Sequence, residues 1–422
     1  MAKKPTQRLI GPFTQLLTLN GLPLKGPLRD SRLEVIHQGG LLVERGRVLE
    51  AGPYSALAEN AADAERVDIN GPAVAVPGWV DAHTHSCFAG SRARDYALRN
   101  SGSSYQEIAA AGGGIWDTVG KTRKASQAQL TELLLARCQR FVADGITTLE
   151  VKSGYGLSIT EELKMLRAIR EAGKYTLLDL VPTCLAAHMA PRDFGGSPEA
   201  YLEQVARELL PQIRKEELSL RVDAFVEKGA FTPEQTSAYF SEALRQGFEL
   251  TVHADQFSTG GSAVAIGCGA RSADHLEASG PAEIEALAQS QVVAMALPGA
   301  SLGLGCGYTP ARALLDAGGC LAIASDYNPG SAPMGDLIAQ ASILGAAEKL
   351  SNAEVLAGIT FRAAAALGLS DRGRLLAGAR ADFNVYPTDH YNEITYHQGR
   401  LKPASVWKNG QCILDTNAET HA

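Results

Sequence analysis

The chain has 422 residues, 45% of them hydrophobic and 20% charged, which is the composition of a soluble globular protein with room for two or three domain-sized units. Its net charge of -7 comes from 39 Lys and Arg scattered among 46 Asp and Glu, so nucleic acid and anionic membranes are not expected as partners. Seven cysteines without a C-x-x-C pair argue against a disulfide framework and a cysteine zinc site, and no apolar run reads as a signal or a membrane span, so a cytoplasmic protein is expected.

Residues 9 to 75 hold short strand-like pieces, among them EVIHQGGLLVERGRVLEAG with a turn at Arg45 and Gly46, and a single short helix near Ser55 to Asn60. From Val76 one pattern repeats: an apolar or β-branched run, a polar or glycine-rich loop, then a stretch with helical spacing. The runs are VPGWVDAHTH, ITTLEVKSG, LLDLVPTCLAAH, RVDAFVEKG, FELTVHADQ, RSADHLE, VVAMALPGA and LAIASDYNPG, eight in all. Between them lie amphipathic segments such as QLTELLLARCQRFVADG and TEELKMLRAIREAGK. The second takes Thr160 as its N-cap, with Glu161 and Glu162 suiting the helix dipole. Strands alternating with helices in this way predict an α/β fold, a parallel (β/α)8 barrel of the TIM type. Residues 371 to 414 return to the strand-rich style in GRLLAGARADFNVY and PASVWKNGQCIL. The expected division is a small composite β-sandwich from residues 1 to 76 and 370 to 422 around a barrel from 77 to 369.

Histidines gather where such a barrel carries its active site, at the C-terminal ends of the strands. His83 and His85 are one residue apart on the first strand, so the two-residue period puts both imidazoles on one side. Other strands end in Lys152 and Tyr155, His188, Glu227, His253 and Gln256, His275, and Asp326 with Asn328. Taken singly, His253 reads equally well as a core histidine and Asp326 as a helix cap. Taken together, His83, His85, His253 and Asp326 supply three imidazoles and a carboxylate, a set that binds a metal ion and leaves room for water. Such an ion lowers the pKa of water toward neutrality and so provides a hydroxide nucleophile without a strong base.

The stretches PGWVDAHTH, TVHAD, SADHLE and SDYNPG resemble the amidohydrolase superfamily. HTHSCFAGSR, SYQEIAAAGGGIWDTVGKTR, EVKSGYGL, HADQFS and SDYNPGS are similar, more narrowly, to the imidazolonepropionase family within it. The resemblance implies hydrolytic opening of the imidazolone propionate ring to N-formimidoyl-glutamate, a step of histidine degradation. It also implies one zinc or iron ion per subunit on His83, His85, His253 and Asp326. Arg92, Tyr155, His188 and Gln256 would contact substrate, Asn328, Gly330 and Ser331 would line the other side, and His275 would act in catalysis with Asp326. Gln256 belongs with the catalytic pair in the same resemblance, although some relatives carry glutamate there, which favours a hydrogen-bonding role. A homodimer is expected as the commonest assembly.

The residue chemistry points the same way. The Arg92 guanidinium offers a bidentate fork to a propionate carboxylate, and the phenols of Tyr105 and Tyr155 add donors. AGGGI, residues 111 to 115, removes side chains where a loop flexes or meets a ligand. Lys152 ends the second strand rather than the fourth, where Glu227 stands, so it is not expected to bridge two metals. Two other readings stay open. A mononuclear deaminase of the guanine or cytosine type would use the same metal but has no need of an arginine for a carboxylate. An inactive scaffold relative would ordinarily have lost ligands.

Overall fold

The computed structural model describes residues 7–103, 107–108 and 111–416. Five strands precede the barrel: β1 (Arg8–Leu17), β2 (Val35–Glu44), β3 (Arg47–Pro53), β4 (Glu65–Asp68) and β5 (Val74–Pro77). The barrel strands are β6 (Trp79–Asp81), β7 (Ile146–Lys152), β8 (Asp179–Ala187), β9 (Arg221–Phe225), β10 (Glu249–Ala254), β11 (Ser272–His275), β12 (Val293–Ala296) and β13 (Leu321–Ile323). Three more follow: β14 (Phe383–Tyr386), β15 (Ser405–Lys408) and β16 (Gln411–Asp415).

All eight runs read as barrel strands are strands, and they pair in chain order from β6 to β13. Every recorded pairing between them is parallel. An isolated parallel bridge between Thr84 and Tyr327 joins the chain beyond β6 to the chain beyond β13 and brings the sheet round on itself. The β7 residues are buried throughout, as expected of a parallel strand covered on both faces.

The terminal segments make a second sheet in the order β16-β15-β14-β5-β1-β2-β3, with β4 also on β1. The long β1 is shared, its first half pairing β4 and its second half β5. The two ends of the chain meet where β14 lies antiparallel to β5. Ile10, Phe13, Leu41, Phe383 and Trp407 form its core, with the Phe383 and Trp407 rings stacked 5.2 Å apart. The β2–β3 turn falls at Arg45 and Gly46, at φ 52° and 77°, the left-handed pair that a two-residue hairpin turn demands.

One predicted detail is corrected. The helix Ile159–Ala172 is capped by Ser158, not Thr160: Ser158 is still extended and its side chain accepts from Glu161 N at 3.4 Å. Glu162, expected to serve the helix dipole, is fully buried, and its carboxylate accepts from the backbone N–H groups of Gly154, Gly156 and Leu157. It therefore fixes the loop that carries Tyr155. No helix among the described residues is long and apolar enough to cross a membrane.

Asp179, at the start of β8, ties the barrel to the terminal sheet. Its Oδ2 accepts from Arg372 at 2.6 Å, Lys408 at 2.7 Å and Arg380 at 2.9 Å. Burial works against its charge, but Lys408 and the two arginines hold its carboxyl below the usual range. Asp179→Ala removes the acid that three cations share, leaving Arg372 and Arg380 with Asp371 and Lys408 with Asp382, and is expected to cost about 1–3 kcal/mol of stability, in line with lost hydrogen bonds to charged groups. A lower midpoint of urea unfolding with unchanged metal content checks this; an unchanged midpoint contradicts it.

Candidate metal centre and substrate site

Beyond β6 the chain stays extended, so His83 and His85 share a side while Thr84 faces away. Thr84 N donates to Glu150 Oε2 at 3.0 Å and its hydroxyl to Glu150 O at 2.6 Å. β10 delivers His253 to the same spot, and ligand atoms of the three histidines all lie within 4.8 Å of one another. Asp326 Oδ1 stands 3.6 Å from His83 Nε2 and 3.4 Å from His85 Nε2. Asp326 caps no helix. Its backbone is left-handed, at φ 50°, its N–H donates to His83 O at 3.1 Å, and Ser325 beside it is anchored to the Asp81 carboxylate.

Two buried carboxylates set the imidazoles from behind. His83 Nδ1 lies 2.6 Å from Asp274 Oδ2, and His253 Nδ1 lies 2.9 Å from Asp223 Oδ2. Asp274 favours the proton on His83 Nδ1, which leaves the Nε2 lone pair facing the centre, and Asp223 stands in the corresponding place behind His253. His83 Nε2 is buried without a hydrogen-bond partner, and His253 Nε2 stands 3.2 Å from His85 Nε2. Burial, with Lys152 and His253 adding to it, holds the His83 pKa well below the ordinary value, and burial does the same for His85. Burial also pushes the Asp326 carboxyl up to about 6. Neutral imidazole lone pairs and a desolvated carboxylate gathered in one place fit a cation, which turns a costly arrangement into a ligand set.

The remaining candidates surround this centre. The His188 ring stacks on His85 with centroids 5.4 Å apart, and its Nδ1 donates to Gly154 O at 3.0 Å. Tyr155 is buried 5.9 Å from the His85 ring, and burial keeps its phenol protonated far above neutrality. His275 lies 5.4 Å from the His253 ring, with Nδ1 3.5 Å from Glu277 Oε1. Burial disfavours its cation, yet Glu277, with Asp326 and Asp274 adding to it, outweighs burial and the His275 pKa is raised. The His275 backbone is left-handed at φ 86°, a strain of about 1–3 kcal/mol for a non-glycine residue. Leu276 N on Ala254 O at 3.0 Å and Thr309 Oγ1 on His275 O hold it there.

Arg92 and the 328–331 loop form an adjoining wall. The Asn328 side chain accepts from Gly330 N at 2.7 Å and Ser331 N at 2.8 Å, which fixes the loop. A Cβ at Gly330 would come within 2.5 Å of Arg92 Nη1, so only glycine lets the guanidinium lie there. Gln256 is half-buried on the loop after β10, beside Phe257 and Ser258, whose N–H groups donate to Glu227 at 2.9 and 3.0 Å. Glu227 is thus a loop anchor. Tyr105 lies outside the described residues. In the AGGGI stretch, Gly113 makes room for Asp95, whose Oδ1 would be 2.4 Å from a Cβ there.

A family model described as the amidohydrolase family matches residues 110–414. An imidazolonepropionase of Symbiobacterium thermophilum is 41% identical over 426 residues, covering 98% of each chain. One from Paracoccus denitrificans is 43% identical over 86% of this chain and 92% of its own. The chain belongs to the imidazolonepropionase family. Among solved structures, an adenosine deaminase from Xanthomonas campestris with bound zinc has a TM-score of 0.69 at 18% identity, over 99% of this chain and 96% of that one. Atrazine chlorohydrolase of Arthrobacter aurescens complexed with zinc also scores 0.69, at 17% identity, over 97% and 95%. These distant likenesses show the barrel fold.

As an imidazolonepropionase family member the chain is a hydrolase acting on a cyclic amide carbon–nitrogen bond, and a metal ion belongs at its histidine triad. Sequence reasoning missed the groups behind the triad: Asp223, Asp274 and Glu150. Lys152 Nζ lies 2.9 Å from both Glu150 and Asp223, fully buried. Burial opposes its charge, but Asp223 and Glu150, joined by Asp274, outweigh burial and raise its pKa, so Lys152 is a buried counter-ion. Alternation offered a signal only for Glu150, which shares a side with Lys152 at a two-residue spacing; Asp274 is adjacent to His275 and so falls on the opposite face of an isolated strand.

Removing the carboxylate behind a metal-binding histidine usually weakens metal affinity by about 10- to 100-fold. Asp274→Asn is expected to do so here, read by competition with a chromophoric chelator. Native affinity in that variant would show that Asp274 does not orient His83.

Proposed function

We propose that the protein opens the ring of 4-imidazolone-5-propanoate by hydrolysis to N-formimidoyl-L-glutamate, with one zinc or iron ion held by His83, His85, His253 and Asp326. The observation that supports this most is that the loop leaving Asp326 carries the Arg92 wall: Asn328 Nδ2 donates to Asp326 O at 2.7 Å, and its Oδ1 accepts from the N–H of Gly330, against which the guanidinium lies. Bound at the triad, the ion acidifies water and polarises the ring carbonyl.

The chain's own groups do the rest. An Asp326 carboxylate oxygen takes the proton of the water that adds to the carbonyl carbon and returns it to the ring nitrogen as the carbon–nitrogen bond breaks. Glu277 engages His275 Nδ1, and the other ring nitrogen donates to the developing oxyanion. His188, its Nδ1 committed to Gly154, offers Nε2 to the ring, and Tyr155 and Gln256 add hydrogen bonds. Arg92 holds the propionate, with Asn328, Gly330 and Ser331 forming the facing edge. A deaminase acting on a flat neutral base has no use for that guanidinium.

The direct test is loss of the ultraviolet absorbance of imidazolone propionate on incubation with the purified protein. His275→Ala is expected to keep its metal and lose about two to four orders of magnitude in kcat, the range for a positioned acid or base. A variant within a few-fold of native removes His275 from the mechanism. Turnover of guanine with none of imidazolone propionate overturns the assignment.

Arg92→Met tests recognition separately from chemistry. It is expected to weaken kcat/KM for imidazolone propionate by about 2–3 kcal/mol, because a charge-assisted fork is lost. Turnover of a ring analogue without the carboxylate should scarcely change. Equal losses on both compounds would make Arg92 structural.

A further inference from the structure

The wall that carries Arg92 holds a second guanidinium. Arg92 caps the helix Ala93–Asn100 and Arg99 stands seven residues on, two helical turns along the same face. Arg99 Nη2 donates to Gly330 O at 3.3 Å, and Arg92 Nη1 lies against that same residue. Two cations thus converge on one peptide.

Their partners are unequal. Asp95, buried, serves Arg92: its Oδ2 accepts from Arg92 Nε at 2.8 Å and also from Gly114 N at 2.8 Å. Arg99 has the Gly330 carbonyl and, at 5.6 Å, the Tyr96 ring, while its Nε is buried without a hydrogen-bond partner among the described residues. Burial first, and then the Arg92 charge, lower the Arg99 pKa, with Tyr96 and Asp95 opposing. A neutral amide would serve a single carbonyl as well. A permanently charged fork with a buried, unpaired N–H is costly unless an anion meets it.

We propose that Arg99 is a second carboxylate-recognising residue, forming with Arg92 a two-guanidinium recess at the Gly330 peptide for the propionate of the substrate. This rests on the reading above that the Arg92 wall receives the propionate. Asp95 fixes Arg92 through Nε and leaves its terminal nitrogens for one face of the carboxylate. Arg99 addresses the other. Gly330, with no side chain, lets the Arg92 guanidinium lie against the same peptide whose carbonyl Arg99 meets.

The test is steady-state kinetics of the holoenzyme, native, Arg99→Gln and Arg99→Lys, on imidazolone propionate and on its carboxamide. Gln keeps a donor for Gly330 O and removes the charge. Arg99→Gln is expected to lower kcat/KM about 10- to 100-fold on the propionate, mostly through KM, and to stay within about threefold of native on the carboxamide. Arg99→Lys should recover part of the loss. Equal losses on both compounds, or none on the propionate, would overturn the proposal and leave Arg99 as a brace for the loop. If Arg99→Gln fails to fold, Arg99→Lys carries the same comparison, with a several-fold loss confined to the propionate expected. Failure of the native protein to turn over the propionate at all would overturn the assigned reaction instead, so the two failures are distinguishable.

Discussion

Electron-rich atoms collected in a space closed to water are the constraint on which this site depends. Three imidazoles and a carboxylate meet at the mouth of the barrel, each exposed by 3% or less. A desolvated carboxylate is expensive, and burial accordingly pushes Asp326 toward protonation. A bound cation removes that penalty, so metal affinity and the stability of this end of the barrel are linked. The left-handed backbones of Asp326 and His275 belong to the same constraint. Each turns the chain sharply at a strand end, and each is held by backbone pairing to the neighbouring strand.

Inside the barrel, charge is balanced along a chain rather than pair by pair. Glu150, Lys152, Asp223 and His253 follow one another at hydrogen-bond distance, and Asp274 supports His83 beside them. Lys152 between two acids keeps their negative charge from accumulating behind the metal. The arrangement keeps the imidazoles neutral, as ligands must be, and a cation held by them would polarise a carbonyl. The outer wall works by a different principle. There the guanidiniums face a glycine, and shape admits what charge attracts.

The barrel was legible because its strands are compact apolar runs separated by helical spacing, and all eight appear where that spacing puts them. The histidine pair was legible for the same reason, since a two-residue period needs no tertiary knowledge. The acids behind it were not. In an isolated strand Asp223 and Asp274 read as solvent-facing positions, and only closure of the sheet turns that face inward. The N-cap went to Thr160 because Ser158 and Thr160 both offer a hydroxyl, and only the extended backbone of Ser158 decides between them. Pairing of β14 with β5 joins residues more than three hundred apart, beyond any local pattern. Arg99 escaped notice because its meaning comes from Gly330, on a loop brought alongside only by the closed barrel.

The central claim is that one metal ion occupies the meeting point of β6, β10 and the turn after β13. Anomalous diffraction from crystals of the protein as purified, recorded on both sides of the zinc and iron absorption edges, tests it most directly. The account predicts one peak per chain, about 2.0–2.2 Å from nitrogens of His83, His85 and His253 and from an oxygen of Asp326. A pair of peaks bridged at Lys152, or a single peak away from the three imidazoles, would contradict it.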